Sequence, residues 1–334
     1  MRVGIVGAGM AGLACAEVLA DRGARVALFD KGRAPGGRMS TRRVQTELGE
    51  AGFDHGAQYF TVRDPAFRAR VDRWHAGGQA APWPAAGADA WVGVPGMNAP
   101  VKQMAAAQAV RWSRQVERLE RDGDGWRIGG EPFDAVLLAI PAEQAGPLLR
   151  PWHEAFAAMA ANTLSAPCWT VIAAFADRLP IAADVLRAGG PGEGRVDEPI
   201  GWAARNSAKP GRSGPESWVI QAEPGWSQRH LEQAAPDVVA PLLDAFARRA
   251  GIMLPAALTA TAHRWRYARS GNAGANASGN SGANASGNAG SGALWDAALG
   301  LGVCGDWLLG PRVEAAFLSG LRLAGLMTAA RLRP

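Results

Sequence analysis

Near the amino terminus, a set of glycines has spacing that could do chemistry. Gly7-Ala8-Gly9-Met10-Ala11-Gly12 follows a short apolar run at residues 3–6 and opens a helical pattern over residues 9–22 that Gly23 closes. Gly7 permits a tight turn, Gly9 lets backbone approach a pyrophosphate, and Gly12 allows helix and strand to pack closely. The start of such a helix offers phosphates its free N–H groups and the positive end of its dipole. Residues 25–29 read as a second strand. Asp30 ends that strand, 18 residues beyond Gly12, where a carboxylate can accept hydrogen bonds from ribose hydroxyls. The glycine spacing alone is a weak signal; with strand, helix and acid in place it predicts a dinucleotide-binding βαβ unit.

The segment that follows narrows the dinucleotide. Residues 33–41, RAPGGRMST, match the second glycine motif of FAD-binding amine oxidases and their relatives. Its glycine pair again allows close approach of backbone, and Arg38 can neutralise a phosphate. Further on, FDHGAQYFT at residues 53–61 is similar to the DxGAQY segment of the renalase family. WVGVPGMN at 91–98, GWAARNSAKPGR at 201–212, HRWRY at 263–267 and the carboxy-terminal CGDW…GPRVEAAFLSG at 304–320 also resemble that family. The order is kept over nearly the whole chain. The departure is an insertion between HRWRY and the last motif, which leaves the motifs intact but bears on the rim of the site.

The resemblance implies an α/β fold: an FAD-binding Rossmann-type domain of the glutathione-reductase/amine-oxidase type, with a second, mainly antiparallel-sheet substrate domain. The expected FAD domain is discontinuous, comprising residues 1–62, 97–145 and 294–334; the substrate domain takes 63–96 and 146–269. By the same resemblance Ala11, Arg38, Gln58 and Tyr59 contact FAD, and Asp306 lies near the ribityl–pyrophosphate junction. The full expected cofactor set adds Gly7, Gly9, Met10, Gly12, Asp30, Lys31, Gly37, Met39, Val116, Arg312 and Val313. A helix from about Arg312, with Val313, Ala316, Phe317, Gly320 and Ala324 on one face, should aim its amino terminus at the flavin N1/C2=O edge. Glu314 in its first turn reads as helix-end electrostatics rather than catalysis.

Renalase-like proteins oxidise the 2- and 6-dihydro isomers of NAD(P) to NAD(P)⁺, and O2 then takes the electrons to give hydrogen peroxide. The flavin carries that chemistry, and the protein supplies orientation and electrostatics. Expected pocket residues are Trp202, Asn206, Lys209, Arg212, His263, Arg264 and Tyr267, each of which could instead be a core or sheet-edge residue. An amine oxidase or desaturase acting on another small molecule, and a nucleotide-binding protein without turnover, remain as alternatives. No cysteine stands in the amine-oxidase attachment context, so the flavin is expected to be non-covalent.

The remaining sequence sets the frame for these motifs. At 334 residues and 48% apolar composition the chain can bury a sizeable core. The net charge of +5 rests on arginine, with lysine only at Lys31, Lys102 and Lys209; no basic run points to nucleic acid. Cys15, Cys168 and Cys304 are odd in number and far apart, which argues for a reducing, cytoplasmic setting and against a disulfide framework. The histidines and cysteines have no metal-ligand spacing. The apolar start could pass for a secretion signal, but its glycines and Glu17 fit strand, loop and helix better; charges interrupt the apolar carboxy terminus, so no membrane span is expected. Residues 110–119, the DGDG turn at 122–125 and residues 126–128 suggest a β-meander, and residues 133–140 another buried strand. Tryptophan-rich alternating stretches between about 163 and 226 suit an antiparallel sheet. Residues 270–293, built on the octads SGNAGANA and SGNSGANA, hold nothing that can form a core and are expected to be a flexible insertion.

Overall fold

The computed structural model describes residues 1–188, 198–271 and 292–331. Most of the Gly/Asn/Ser insertion therefore lies outside the described residues.

Its first sheet grows from the apolar strand Arg2–Val6, whose four residues after Arg2 are all buried. Arg25–Phe29 and Ala135–Leu138 flank it in parallel, and Val110–Arg111 and Leu301–Val303 extend the sheet on either side; Leu294–Asp296 closes one edge antiparallel. Continuous apolar strands are what a parallel sheet covered on both faces requires. The helix Met10–Asp21 covers one face and is itself crossed by the carboxy-terminal helix Val313–Arg331. Gly320 makes that crossing possible, because a Cβ there would stand 2.2 Å from the Ala11 carbonyl oxygen.

Two details differ from the sequence reading. Residues 110–119 do not form one meander strand: Val110–Arg111 joins the parallel sheet, and the meander consists of Glu120–Asp122, Gly125–Ile128 and Glu131–Phe133. Local alternation could not separate a strand from the irregular stretch after it. The carboxy-terminal helix starts at Val313 and buries Phe317, Gly320 and Ala324 as expected, but Val313 and Ala316 are only half-buried while Glu314, Ala315 and Leu323 are buried. The helix is covered on more than one side, so a single-face pattern understates it.

A second sheet is antiparallel throughout, in the order Val185–Arg187, Ile200–Arg205, Glu216–Ala222, Ser165–Phe175, Thr259–Ser270. Period-two alternation splits its two faces. Trp169, Val171, Ala173 and Phe175 join Trp218 and Ile220 against Val238, Leu242, Ala245 and Phe246 of the helix Ala235–Ala250. Ile172, Ala174 and Val219 point the other way, onto Ala51 and Phe53 of the hairpin Thr41–Thr46/Gly49–Asp54. That hairpin brings the FDHGAQY segment under the second sheet, which is what assembles a site between distant parts of the chain.

Candidate active site

At the glycine turn, Gly7 has φ +105° and donates its N–H to Phe29 O at 2.8 Å, locking the turn across the ends of the first two strands. A Cβ on Gly7 would lie 2.4 Å from Ala139 O, and one on Gly12 would lie 2.0 Å from Gly7 O. Gly9 is different: a Cβ there would meet no atom within 4 Å. The turn is thus tightly packed against strand and helix and open beside Gly9, the arrangement a pyrophosphate needs. No side chain caps the helix at Gly9 and no acid stands in its first turn, so its terminal N–H groups remain available to an anion. Asp30 accepts from Ala8 N and Gly32 N, each at 2.7 Å, which fixes its carboxylate beside the turn. Exposed Lys31 follows it, while Met10, Ala11 and Met39 are buried and Val116 packs at the edge of the neighbouring core.

Arg38 makes a two-pronged ion pair with Asp306, at 2.9 and 2.5 Å, and Ser270 Oγ donates to the same carboxylate at 2.9 Å. Two residues assigned independently to the pyrophosphate region are therefore adjacent, although 268 positions separate them. Exposed Gly37 has φ +52° and open space where a Cβ would be. Arg38 O accepts from Ala57 N at 2.8 Å, which ties this turn to the segment carrying Gln58 and Tyr59.

Beyond that tie is a cluster of buried charge. Asp54, with no exposed surface, accepts from Thr41 Oγ1 and Met97 N at 2.8 Å, from Lys209 Nζ at 3.1 Å, and from Arg212. Burial alone would raise its pKa, but the cations Lys209 and Arg212 outweigh that and hold it down at about 2. Lys209 Nζ also donates to Gln58 Oε1 at 3.2 Å and stands 5.2 Å from the centre of the Trp83 ring. Burial lowers the Lys209 pKa to about 8 despite Asp54. Asn206 is engaged elsewhere: it accepts from Asp54 N at 3.2 Å and donates to Gly52 O at 2.8 Å, holding the hairpin.

Two aromatic groups complete the region. Tyr59 and Trp202 lie with ring centres 5.4 Å apart at 32°, and Arg187 covers Trp202 at 4.9 Å. His55, His263 and Trp265 touch one another, with ring centres 4.5 to 5.2 Å apart, and Trp265 Nε1 donates to His55 O at 2.8 Å. Burial, then the neighbouring His263, holds His55 down at about 4, so it is a neutral imidazole at pH 7. Arg264 alternates to the far side of its strand, donating to Leu231 O and Glu232, and does not join these groups. Tyr267 falls where pairing with the neighbouring strand shifts register.

Arg312 is exposed at the start of the carboxy-terminal helix. Glu314, in its first turn, accepts from Arg63 N and Asp64 N at 2.7 and 2.8 Å, so it binds the helix end to the next segment. Asp54, His55 and Trp265 lie within the motifs, but nothing local marks them for the site, because their partners lie as far as 210 residues away. Burial pushes the thiols of Cys168 and Cys304 up to about 11 and about 12. Among the described residues, no cluster of three or more metal-ligating side chains exists, and no helix is long and apolar enough to cross a membrane.

A family model described as flavin containing amine oxidoreductase matches residues 85–328, and one described as an NAD(P)-binding Rossmann-like domain matches residues 5–74. Among solved structures, a protein of Exiguobacterium sp. 255-15 provisionally named a protoporphyrinogen oxidase is similar at 14% identity and TM-score 0.69, over 100% of this chain and 99% of that one. Cyclohexylamine oxidase from Brevibacterium oxydans IH-35A is similar at 13% identity and TM-score 0.68, and a mutant putrescine oxidase at 14% and 0.64, each over 99% of both chains. At these identities the likeness is one of fold.

Proposed function

Because the chain belongs to the family of flavin containing amine oxidoreductases, we propose that it is a renalase-type oxidase with non-covalent FAD. Its substrates would be the 2- and 6-dihydro isomers of NAD(P), its products NAD(P)⁺ and, with O2, hydrogen peroxide. One observation carries this reading. Three segments that resemble renalase sequence, residues 53–61, 201–212 and 263–267, converge on one place through the Asp54–Lys209–Arg212 cluster, the Tyr59–Trp202 pair and the His55–His263–Trp265 group.

The residues fit the cofactor. Asp30 would bind the ribose, the Gly7–Gly12 turn and its helix end the pyrophosphate, Arg38 and Asp306 the junction with the ribityl chain, and Gln58 and Tyr59 the ring. Bound flavin supplies a hydride acceptor that O2 can reoxidise. With their pKa values pushed up to about 11 and about 12, the thiols of half-buried Cys168 and buried Cys304 are protonated and give no reactive thiolate for attachment. Residues 63–96 and 146–269 would then supply the substrate side.

Loss of hydride from a 2- or 6-dihydropyridine leaves an aromatic pyridinium, and no proton is removed with it. The chain's own groups suit such a reaction. Asp54 is held ionised by four donors, Lys209 is enclosed by Asp54, Gln58 and Trp83, and His55 is a weak base because burial disfavours its cation. A second reading, oxidation of an amine, is favoured by the Tyr59–Trp202 ring pair, whose aromatic surface could receive an alkylammonium group, and by amine substrates in the names of two similar structures.

Anaerobic stopped-flow reduction separates the two. Rapid bleaching of the bound flavin by 2- or 6-dihydroNAD(P) is expected, with ordinary 4-dihydro NADH far slower, because a slot set for carbon 2 or 6 holds carbon 4 outside the ~3–3.5 Å reacting distance. Bleaching by amines and by none of the dihydronicotinamides would transfer the assignment to the second reading.

A further inference from the structure

The Asp54 cluster does not balance its charge. Two cations, Lys209 and Arg212, face a single carboxylate, and the side chains of all three are nearly or wholly without exposed surface, at 0%, 4% and 0%. Asp54 is already shared, since Thr41 Oγ1 and Met97 N occupy its other oxygen. The remaining acceptor of Lys209 is the neutral amide of Gln58. Arg212 also donates to Gly93 O and Pro210 O at 2.6 and 2.8 Å, but these acceptors are neutral, so one buried positive charge stays uncompensated, and groups so placed are concentrated at functional sites.

The excess charge is bonded to one residue of the expected cofactor site, Gln58. From the glycine turn the expected cofactor path runs past Arg38 and Asp306, and Arg38 O is bonded to Ala57 N, one residue before Gln58. Gln58 Nε2 donates to Asp54 O and to Gly56 O at 3.0 Å, so the Lys209 bond to Oε1 fixes which way the amide points. In the cofactor reading above Arg38 and the helix terminus serve the pyrophosphate end and Gln58 the ring, so Lys209 would act on the ring end through its bond to Gln58.

We propose that Lys209 is a positioning residue of the flavin site that orients Gln58 and sets an uncompensated positive charge beside the flavin ring, favouring the reduced, more negative cofactor. This rests on the cofactor reading above but not on the identity of the substrate.

The test is the two-electron equilibrium of the flavin-loaded protein against a reference dye. In Lys209→Met the ratio of reduced to oxidised flavin should fall about tenfold at a fixed dye poise, ~30 mV for a two-electron couple, whereas Lys209→Arg should stay within about threefold of wild type. Lys209→Met with full flavin content and an unchanged ratio overturns the proposal, as does a ratio lost equally in Lys209→Arg. Should Lys209→Met fail to fold or to hold flavin, the unmutated protein decides. The charged groups facing Lys209 are Asp54, from the hairpin, and Arg212, from its own loop; Asp54, held at about 2, stays ionised above pH 7. As Lys209 loses its proton near pH 8, the potential should drop more steeply than on either side of that window. A single uniform slope from pH 7 to 9.5 overturns the proposal. Protein that takes up no flavin would end the cofactor reading itself, while flavin bleached only by amines would end the substrate reading and leave this test intact.

Discussion

The glycine turn and the Asp54 cluster hold their places by opposite means. The turn uses backbone, packed so closely that Gly7 and Gly12 have no room for a methyl group, and its parts lie within 24 residues of one another from Gly7 to Asp30. The cluster uses buried charge, drawing on Thr41, Asp54, Met97, Lys209 and Arg212 from four separate segments. A backbone site tolerates loss of a side chain and fails on addition of one. A charge site behaves the other way, since removing one partner strands the rest in low dielectric.

The sharpest break of this contrast is Asp54→Ala. It leaves Lys209 and Arg212 buried without their shared carboxylate and should destabilise the protein by about 3–5 kcal/mol, read from urea unfolding. A loss below about 1 kcal/mol would mean that the cations find other partners at little cost. On the backbone side, Gly12→Ala places its Cβ against the Gly7 carbonyl and should cost about 1–3 kcal/mol, as overpacking does. Gly9→Val is the counterpart: with no neighbour within 4 Å of a Cβ, the flavin-free protein should unfold at the wild-type midpoint, yet flavin retention should be abolished. Wild-type flavin occupancy in Gly9→Val would relocate the pyrophosphate.

Acid should act on the hairpin side and not through the glycine backbone. His55 titrates at about 4 when folded and near its ordinary value of 6.5 when unfolded. Unfolding therefore takes up a proton as pH falls between those values, and the His55 contribution to stability, about 3 kcal/mol, is lost through that window and wholly gone below about pH 4. His55→Phe, which keeps a ring beside His263 and Trp265, should flatten the dependence; equal slopes for the two proteins between pH 7 and 4.5 would show that His55 is not its source. The smallest effect belongs to Arg264→Ala. Its guanidinium reaches Leu231 O and Glu232 on the other side of the strand, so flavin content and bleaching rate should be unchanged. A reduced rate would bring Arg264 back into the pocket.

Some of this was open to reading along the chain. The strand Arg25–Phe29, the helix after Gly9 and the acid at Asp30 follow from glycine sterics and hydrophobic runs, which act over a few residues. The same local rules misjudged residues 110–119, because a two-residue strand carries too little pattern to be told from its neighbours. HRWRY stands out along the chain as a motif, but which of its side chains face the site depends on a twelve-residue edge strand and its pairing with Ser165–Phe175. That pairing sends His263 and Trp265 toward His55 and Arg264 away from it.

What the sequence determined by itself is therefore the dinucleotide turn, the alternation that makes the second sheet two-faced, and the residue types available for a pocket. Tertiary structure alone decided that Arg38 meets Asp306, that Asn206 holds a hairpin, and that Lys209 and Arg212 share one carboxylate. The reason is physical. Turn and strand preferences come from sterics between near neighbours, which composition and spacing record. The protonation state of a lysine depends on what surrounds it in space, and the partners of Lys209 lie up to 155 positions away, brought together only when the second sheet closes over the hairpin.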